Sequence, residues 1–425
     1  MLRDAFLPPP LAHPLEPLFR AAERPHGIRY ASARWNPEAL ALLVSSLREG
    51  ADALRAIPEG DLLAAWGDTV ARFLRPSSLE RRALDPSLSR LCRLSRPGLE
   101  AALEAVLGGV RREAAAEVLA QARTPADAGP VLVVLAGNLP ALAVQPLLPA
   151  LALRRPVLLK SPSAEPLFAP AFLQALARRE PRLAGAVAAA TWPGGEAELE
   201  APVLAGVDTV IAYGDREALD DLERRAPGRV VEYGPKTSLA VVGADADLRE
   251  TAFGLARDIA LFDQRGCLSV AAIYTAGDAG ALAERLGEAL SDLARRWPAG
   301  PAARPELAAV QHVRLEAEMR GLRQEPLSLQ AGTVIVDPDP TFRPSPGLRT
   351  VRVHSLPDLS RLPELLISWR GRLQGAALTG KGAWALEPRL RDLGISRFAP
   401  PGELQSPNAS WHNGGIDPLL ALSGL

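Results

Sequence analysis

The stretch FDQRGCLS, Phe262 to Ser269, holds Cys267, one of two cysteines in 425 residues. It follows a glycine and joins a helix-like segment to a strand-like one. A thiolate there can attack a thioester carbonyl, expel the carrier thiol and keep the acyl group as an S-acyl intermediate. It would need its pKa lowered, as at the N-terminus of a helix or loop. The competing reading is a small apolar residue buried at a turn. Cys92, in SRLCRLSR, lacks such a setting and reads as structural. Asn138 lies just past the apolar run VLVVL, where its amide can donate to an oxyanion or satisfy its own turn. Lys160 ends PVLLK and is one of three lysines among 48 basic residues. An ordinary surface cation in this chain would be arginine. There is no GxGxxG, GxxxxGK[ST] or HExxH, and the five histidines are scattered. Phosphate-loop and metal chemistry are therefore poorly supported.

From Val131 the chain alternates by type. Apolar runs at 131–135, 156–160, 186–191, 208–213 and 229–233 read as strands. Helical stretches separate them: 139–153, 164–179, 196–205 and 215–225, the last with Asp215 as N-cap. Such alternation predicts a mostly parallel sheet covered on both faces, with ligands at the carboxyl ends of its strands. A second unit begins near Lys236. It has a strand at 237–243, an amphipathic helix with Phe253, Ala256 and Ile259–Ala260 on one face, a strand after Cys267, a helix over 277–297, and strands at 333–337 and 348–356. Residues before 125 are mostly helical, with a helical pair over 51–74.

The stretches AGNLPALAVQPLLPALALRRPVLLKSPSAEPLFA, VEYGPKTSLAVVGADADL, FDQRGCLS and GELQSPNASWHNGG occur in that order. Together they resemble the aldehyde dehydrogenase superfamily and, within it, the LuxC-type fatty acyl-CoA reductases. That variant is marked by a Gly-Asn-x-Pro turn (Gly137–Pro140), Gln-x-x-Cys-x-Ser (Gln264–Ser269) and a C-terminal Trp-His (Trp411–His412). Glu232 and Cys267 stand 35 residues apart, as the superfamily's Glu and Cys do. The resemblance covers about Val131 to the end. It implies an α/β, aldehyde-dehydrogenase-like fold with a Rossmann-type cofactor domain and an α/β catalytic domain. The expected division is 1–125 as the helical part of the cofactor domain, 126–235 as its parallel core, 236–405 as the catalytic domain and 406–425 as a C-terminal tail.

The resemblance also implies roles. Cys267 is the nucleophile, Asn138 the oxyanion donor and Glu232 the general base, with a strand-end Glu paired to an Arg as its alternative. Lys160 meets the adenosine ribose. Ser163 stands where NAD-preferring members often place a Glu; without that carboxylate a 2′-phosphate is tolerated, which favours NADPH. Gly214 lets a pyrophosphate approach the helix that follows, although Asp215 would oppose phosphate unless it caps that helix. Lys236 reads as structural, and His412 as a structural histidine or a proton donor. The superfamily's Glu-x-Phe-Gly-Pro stretch is missing, and Phe342-Arg343-Pro344 stands roughly there. The implied reaction is NADPH-dependent reduction of a fatty acyl-CoA, or an acyl thioester, to the aldehyde. Alternatives are NAD(P)-dependent aldehyde oxidation and a non-catalytic acyl carrier serving an acyl-protein synthetase.

Bulk composition is consistent with this reading. A net charge of −1 argues against nucleic-acid partners. Two cysteines suit a reducing cytoplasm, no apolar window approaches a membrane span, and the N-terminus lacks the apolar core of a signal peptide. A homo-oligomer is expected.

Overall fold

The computed structural model describes every residue except 25–26, 126–128, 326 and 424–425. Strands β1 (Phe19–Arg24) and β2 (Ile28–Ala33) form an antiparallel hairpin. The next five strands are β3 (Val131–Val134), β4 (Val157–Lys160), β5 (Val187–Ala190), β6 (Thr209–Tyr213) and β7 (Arg229–Tyr233). They make a parallel sheet in the order β5-β4-β3-β6-β7. The last six are β8 (Thr237–Val242), β9 (Val270–Thr275), β10 (Thr333–Val336), β11 (Thr350–Ser355), β12 (Leu373–Thr379) and β13 (Arg397–Ala399). They make a second parallel sheet in the order β10-β11-β9-β8-β12-β13.

Helices on both faces bury these strands, which is why they read as short continuous apolar runs. In the first sheet, successive strands run outward from β3 to β5 on one side and continue with β6 on the other. The crevice at the carboxyl ends of β3 and β6 is thus a topological switch point, and Asn138 and Gly214 follow those two strands. Only Gly234, Pro235 and Lys236 separate β7 from β8, so the two sheets meet close to that crevice.

Every strand expected from the sequence is present. The helix expected over 139–153 begins only at Val144. Pro146 falls in its first turn, where the missing N–H costs no intrahelical bond. Phe253 departs from expectation. It is 55% exposed, while Ala252, Leu255, Ala256 and Ile259 are buried. The inward stripe of helix Leu248–Ala260 runs through those four, and Phe253 falls off it.

The N-terminal part is helical, as expected, but also carries the β1–β2 hairpin. Its helices pack on the first sheet's layer through Trp66, Phe73, Phe168 and Phe172, whose ring centroids lie 5.2–5.8 Å apart. The C-terminal segment folds back on this same unit. Buried Arg155 donates to the carbonyls of Gly129 (2.8 and 3.0 Å) and Leu422 (2.8 Å) and to Thr209 Oγ1 (3.0 Å). This fastens helix Pro418–Leu422 to the amino end of the sheet.

Candidate active site

Cys267 follows a turn of unusual backbone. Phe262, Asp263 and Gln264 have φ of 57°, 49° and 63°, three left-handed residues in succession and none of them glycine. Each costs on the order of 1–3 kcal/mol and persists only if its surroundings fix it. They do. Asp263 Oδ1 accepts two bonds from Arg349, from Nη2 at 2.7 Å and Nε at 3.0 Å, with both side chains almost fully buried. Asp263 Oδ2 accepts from the Gly300 N–H at 2.9 Å. The Gln264 amide donates to the carbonyls of Val270 (2.7 Å) and Thr350 (2.8 Å), and its oxygen accepts from the Thr350 N–H (2.7 Å). Gly266 must lack a side chain, because a Cβ there would lie 2.8 Å from Gln405 Oε1. The spacing Gln-x-x-Cys-x-Ser therefore has a mechanical basis. Gln264 ties the turn to β9 and β11, and Ser269 donates to Gln405 at 3.0 Å.

This turn opens onto a cavity of about 860 Å³. Cys267, Asn138, Glu232 and Gly214 all line it. One wall is apolar, formed by Leu91, Val106, Leu139 and Leu142. The Asn138 amide donates to the Arg265 carbonyl at 3.0 Å, which pins the β3 loop to the cysteine turn. Arg265 is held in turn by Glu306 at 3.2 Å. The Cys267 carbonyl accepts from Ser238 Oγ at 2.8 Å. Burial pushes the Cys267 thiol up to about 11, opposed by the N–H groups of Cys267 and Leu268 and by the Lys236 ammonium. Burial in turn lowers the Lys236 pKa, against the pull of Cys267. Lys236, just ahead of β8, thus lines the same cavity as the thiol. A Cβ on Gly414, whose φ is +63°, would lie 3.1 Å from the lysine Nζ.

Glu232 ends β7 as an ion pair, with Arg216 Nη1 at 3.0 Å from Oε2 and Nη2 at 3.4 Å from Oε1. Asp215 caps its helix, with Oδ1 accepting from the Ala218 N–H at 2.9 Å, which turns the carboxylate toward the helix backbone. Lys160 and Ser163 do not line the cavity, although Ala164 does. Lys160 is buried, its Nζ 3.8 Å from Glu200 Oε1 and 5.4 Å from the Trp192 ring. Burial lowers its pKa, and Glu200 works against that. The sequence offered no sign of Glu200, which stands 40 residues away on the helix Ala197–Gly206. Ser163 is exposed at the end of β4, and next to it the buried Ser161 hydroxyl has no hydrogen-bond partner. An orphaned hydroxyl, an exposed serine and a glycine ahead of a helix fit the hydroxyls and phosphates of a dinucleotide.

Other candidates fall differently. Cys92 is buried as expected, yet it lines the apolar side of the same cavity. His412 is exposed, 3.8 Å from Asp417 and off the cavity. Its neighbours Trp411, Asn413 and Gly414 line the cavity instead. Phe342 packs edge-on against Trp369 and Arg343 pairs with Asp337 and Asp339, so of that stretch Pro344 reaches the cavity. Stacked Tyr213 and Tyr233, 4.7 Å apart, form a further wall that sequence reasoning missed. Among the described residues no cluster of His, Cys, Asp and Glu could hold a metal ion, and no helix is long and apolar enough to cross a membrane.

Comparison with known proteins places this geometry. A long-chain acyl-protein thioester reductase of Aliivibrio fischeri is 29% identical over 234 residues, 54% of this chain and 49% of that protein. The protein of the same description from Vibrio harveyi is 31% identical over 155 residues, 35% of this chain and 32% of that one. The chain thus spans about half, or less, of the length of the curated relatives it matches. Among solved structures, aldehyde dehydrogenase 21 from Physcomitrella patens gives a TM-score of 0.73 at 14% identity, over 93% of this chain and 90% of that one. An NADP-dependent glyceraldehyde-3-phosphate dehydrogenase from Bacillus halodurans gives 0.68 at 16% identity, over 90% and 87%. At such identities the likeness speaks for the fold alone, and that fold is the aldehyde dehydrogenase α/β architecture expected from the sequence. The family described as acyl-CoA reductase (LuxC) matches residues 79–425. Because that match runs from the helix at Leu79 to the C-terminus and takes in the whole surround of Cys267, the chain belongs to the acyl-CoA reductase (LuxC) family.

Proposed function

We propose that the protein reduces a fatty acyl thioester to the aldehyde, with NADPH as reductant and Cys267 as the acyl acceptor. The observation that carries this reading is the cavity: a thiol on a rigidly held turn, an amide donor and an apolar wall line one open cavity. Its relatives' descriptions, acyl-CoA reductase and long-chain acyl-protein thioester reductase, name donors with the same reacting carbonyl. The substrate is accordingly a long-chain thioester of coenzyme A or of an acyl-protein synthetase partner. Residues up to 235 serve as the cofactor domain and 236–405 as the catalytic domain.

The Cys267 thiolate attacks the acyl carbon. The bond to the carrier sulfur breaks, and the carrier leaves as a thiol with the proton that Cys267 gave up. Asn138, released from the Arg265 carbonyl, donates to the carbonyl oxygen as it gains charge, an interaction worth about 3–4 kcal/mol where such donors have been removed. Lys160, Ser163 and Gly214 are the residues that would hold the cofactor, which when bound supplies the hydride that takes the acyl carbon to the aldehyde level. Cys267 Sγ then departs from that carbon and the aldehyde leaves. The balance is thioester, NADPH and a proton giving aldehyde, carrier thiol and NADP⁺. A reductase must not hydrolyse its acyl-enzyme. Glu232, with both oxygens engaged by Arg216, has no free oxygen aimed at activating water, which favours reduction over oxidation to the acid.

The test is incubation with radiolabelled acyl-CoA in the absence of NADPH. Wild type and Cys92→Ala should become labelled, hydroxylamine should strip the label, and Cys267→Ala should stay unlabelled. Equal labelling of Cys267→Ala would sink the mechanism.

A further inference from the structure

We propose that Arg24, on the N-terminal hairpin, supplies the guanidinium that binds the 2′-phosphate of NADPH. The inference rests on the NADPH reading above and assigns it a cation. The cations otherwise near the end of β4 are already committed. Lys160 lies buried against Glu200, and Arg225 is held by the same Glu200 at 2.6 Å and by Asp221 at 2.6 Å. Absence of a carboxylate at Ser163 permits a 2′-phosphate but does not attract one.

Arg24 is differently placed. Its Nη2 donates to the Ser163 carbonyl at 3.3 Å, and its Nε donates to the Tyr30 hydroxyl at 2.9 Å. Tyr30 is 2% exposed and sits two residues into β2, so it anchors the guanidinium from a rigid strand. The hairpin is fixed to the first sheet through its neighbours. Arg3 bridges Ala31, and Phe6 bridges Ala189 on the edge strand β5. The charges facing Arg24 are few. Buried Asp4 feels its charge, but the Asp4 carboxylate is taken by Ser32 Oγ at 2.5 Å and the Ala33 N–H at 3.0 Å. Glu23, next in sequence, pairs with Arg29. Arg24 thus presents an exposed guanidinium, with Nη1 turned to no carboxylate among the described residues, beside the exposed Ser163. A fixed planar fork of this kind matches phosphate in two-point contact, and a neighbouring serine hydroxyl adds a third donor.

The site is tested by calorimetric titration of the full chain, without turnover, using adenosine 2′,5′-bisphosphate, 5′-AMP and adenosine 3′,5′-bisphosphate. Wild type should bind the 2′,5′ compound more tightly than 5′-AMP. Arg24→Gln should weaken the 2′,5′ compound about ten- to a hundredfold and leave 5′-AMP unchanged, as expected for one charge-assisted contact. Arg24→Lys should fall between, because it keeps the charge and loses the fork. If wild type shows no preference for a 2′-phosphate, the NADPH reading itself fails. If that preference survives in Arg24→Gln, the reading stands and the role of Arg24 is overturned. Tighter binding of the 3′,5′ compound would overturn it too, by marking the site as one for the ribose phosphate of coenzyme A.

Discussion

Replacing Arg349 with methionine tests whether the turn before Cys267 is held under load. The three left-handed residues at 262–264 together store about 3–9 kcal/mol, at 1–3 kcal/mol each. Opposing that is a buried pair whose partners are 2% and 3% exposed. Removing one member of such a pair costs about 3–5 kcal/mol, because the other is left charged and unpaired. The clamp and the strain are therefore of similar size, so Arg349→Met should let the turn relax as well as weaken the fold. The expected result is a lower urea midpoint, equivalent to about 3–5 kcal/mol, and a slower acyl-labelling rate under conditions where the protein is still folded. The double variant Asp263→Leu/Arg349→Met separates the two effects. Exchanging both charges for apolar groups should restore most of the stability. It should not restore labelling, because no group then pins the turn at Asp263. Full labelling by a restabilised double variant would show that the pair only stabilises. A loss below about 1 kcal/mol together with an unchanged labelling rate in the single variant would refute the argument, because neither the pair nor the turn would then have responded.

Four further outcomes can be checked. With the Cys267 thiol pushed up to about 11 by burial, alkylation of the free protein should rise about tenfold per pH unit from pH 7 to 10; a plateau near pH 8 would mean that the local cations and N–H groups win instead. Burial also pushes the Glu165 carboxyl from 4.5 up to about 7, so the folded state keeps a proton that the unfolded chain loses, and stability present below about pH 4.5 is lost as pH rises through 7. Glu165→Gln keeps the Oε1 acceptor for the Leu167 and Phe168 N–H groups and should stabilise by up to about 3 kcal/mol at pH 8 but not at pH 4.5, read from urea midpoints at both pH values. Ser163→Glu should lower the ratio of NADPH to NADH kcat/KM about ten- to a hundredfold, and an unmoved ratio would misplace the ribose. Glu232→Gln, at a carboxylate paired with Arg216, should leave both the acyl-transfer rate and the aldehyde-to-acid ratio unchanged; slower transfer would identify the base that deprotonates Cys267, and less acid from the stalled acyl-enzyme a water-activating base.

The first parallel sheet and four strands of the second were legible because each is a short apolar run, a pattern that burial on both faces imposes, whereas β12 and the three-residue β13 were not read from the sequence. The convergence of Asn138 and Cys267 was legible only through motif order, since nothing local to either predicts a contact across 127 residues. What stayed hidden follows a physical rule. Phe262, Asp263 and Gln264 continue the amphipathic helix by composition and contain no glycine to announce a left-handed turn. Their conformation is imposed by Arg349, Gly300 and Thr350, from 37 to 86 positions downstream. Lys160 looked like a free strand-end cation for the same reason: Glu200 reaches it from the helix Ala197–Gly206. The histidine of Trp411–His412 drew attention by type, whereas the loop turns Trp411 and Asn413 inward. The β1–β2 hairpin has no regular alternation in FRAAER, so the segment carrying Arg24 gave no strand signal.

The half-buried setting of Cys267 first looks like the wrong environment for a nucleophile. A thiol with a pKa near 11 is almost wholly protonated at neutral pH. The penalty, however, falls only on the charged form. The thiol is neutral, and so is the S-acyl form that the proposed reaction requires, so neither carries the desolvation cost. The scarce thiolate is a stronger nucleophile per ion than an ordinary cysteine, because nucleophilicity rises with basicity. The environment therefore gives up thiolate population and gains reactivity per thiolate, and it keeps the resting thiol from reacting with adventitious electrophiles. The Lys236 ammonium and the N–H groups of Cys267 and Leu268 already oppose the burial. Further desolvation by a bound acyl chain along Leu139 and Leu142 would add to the larger of these opposing effects, since burial already outweighs the cation and the N–H groups. On this argument, alkylation of Cys267 by a small reagent and acylation by a long-chain thioester should differ in their pH dependence. The acylation profile should be displaced to higher pH, and coincident profiles would mean that the acyl chain leaves the electrostatics of the thiol unchanged.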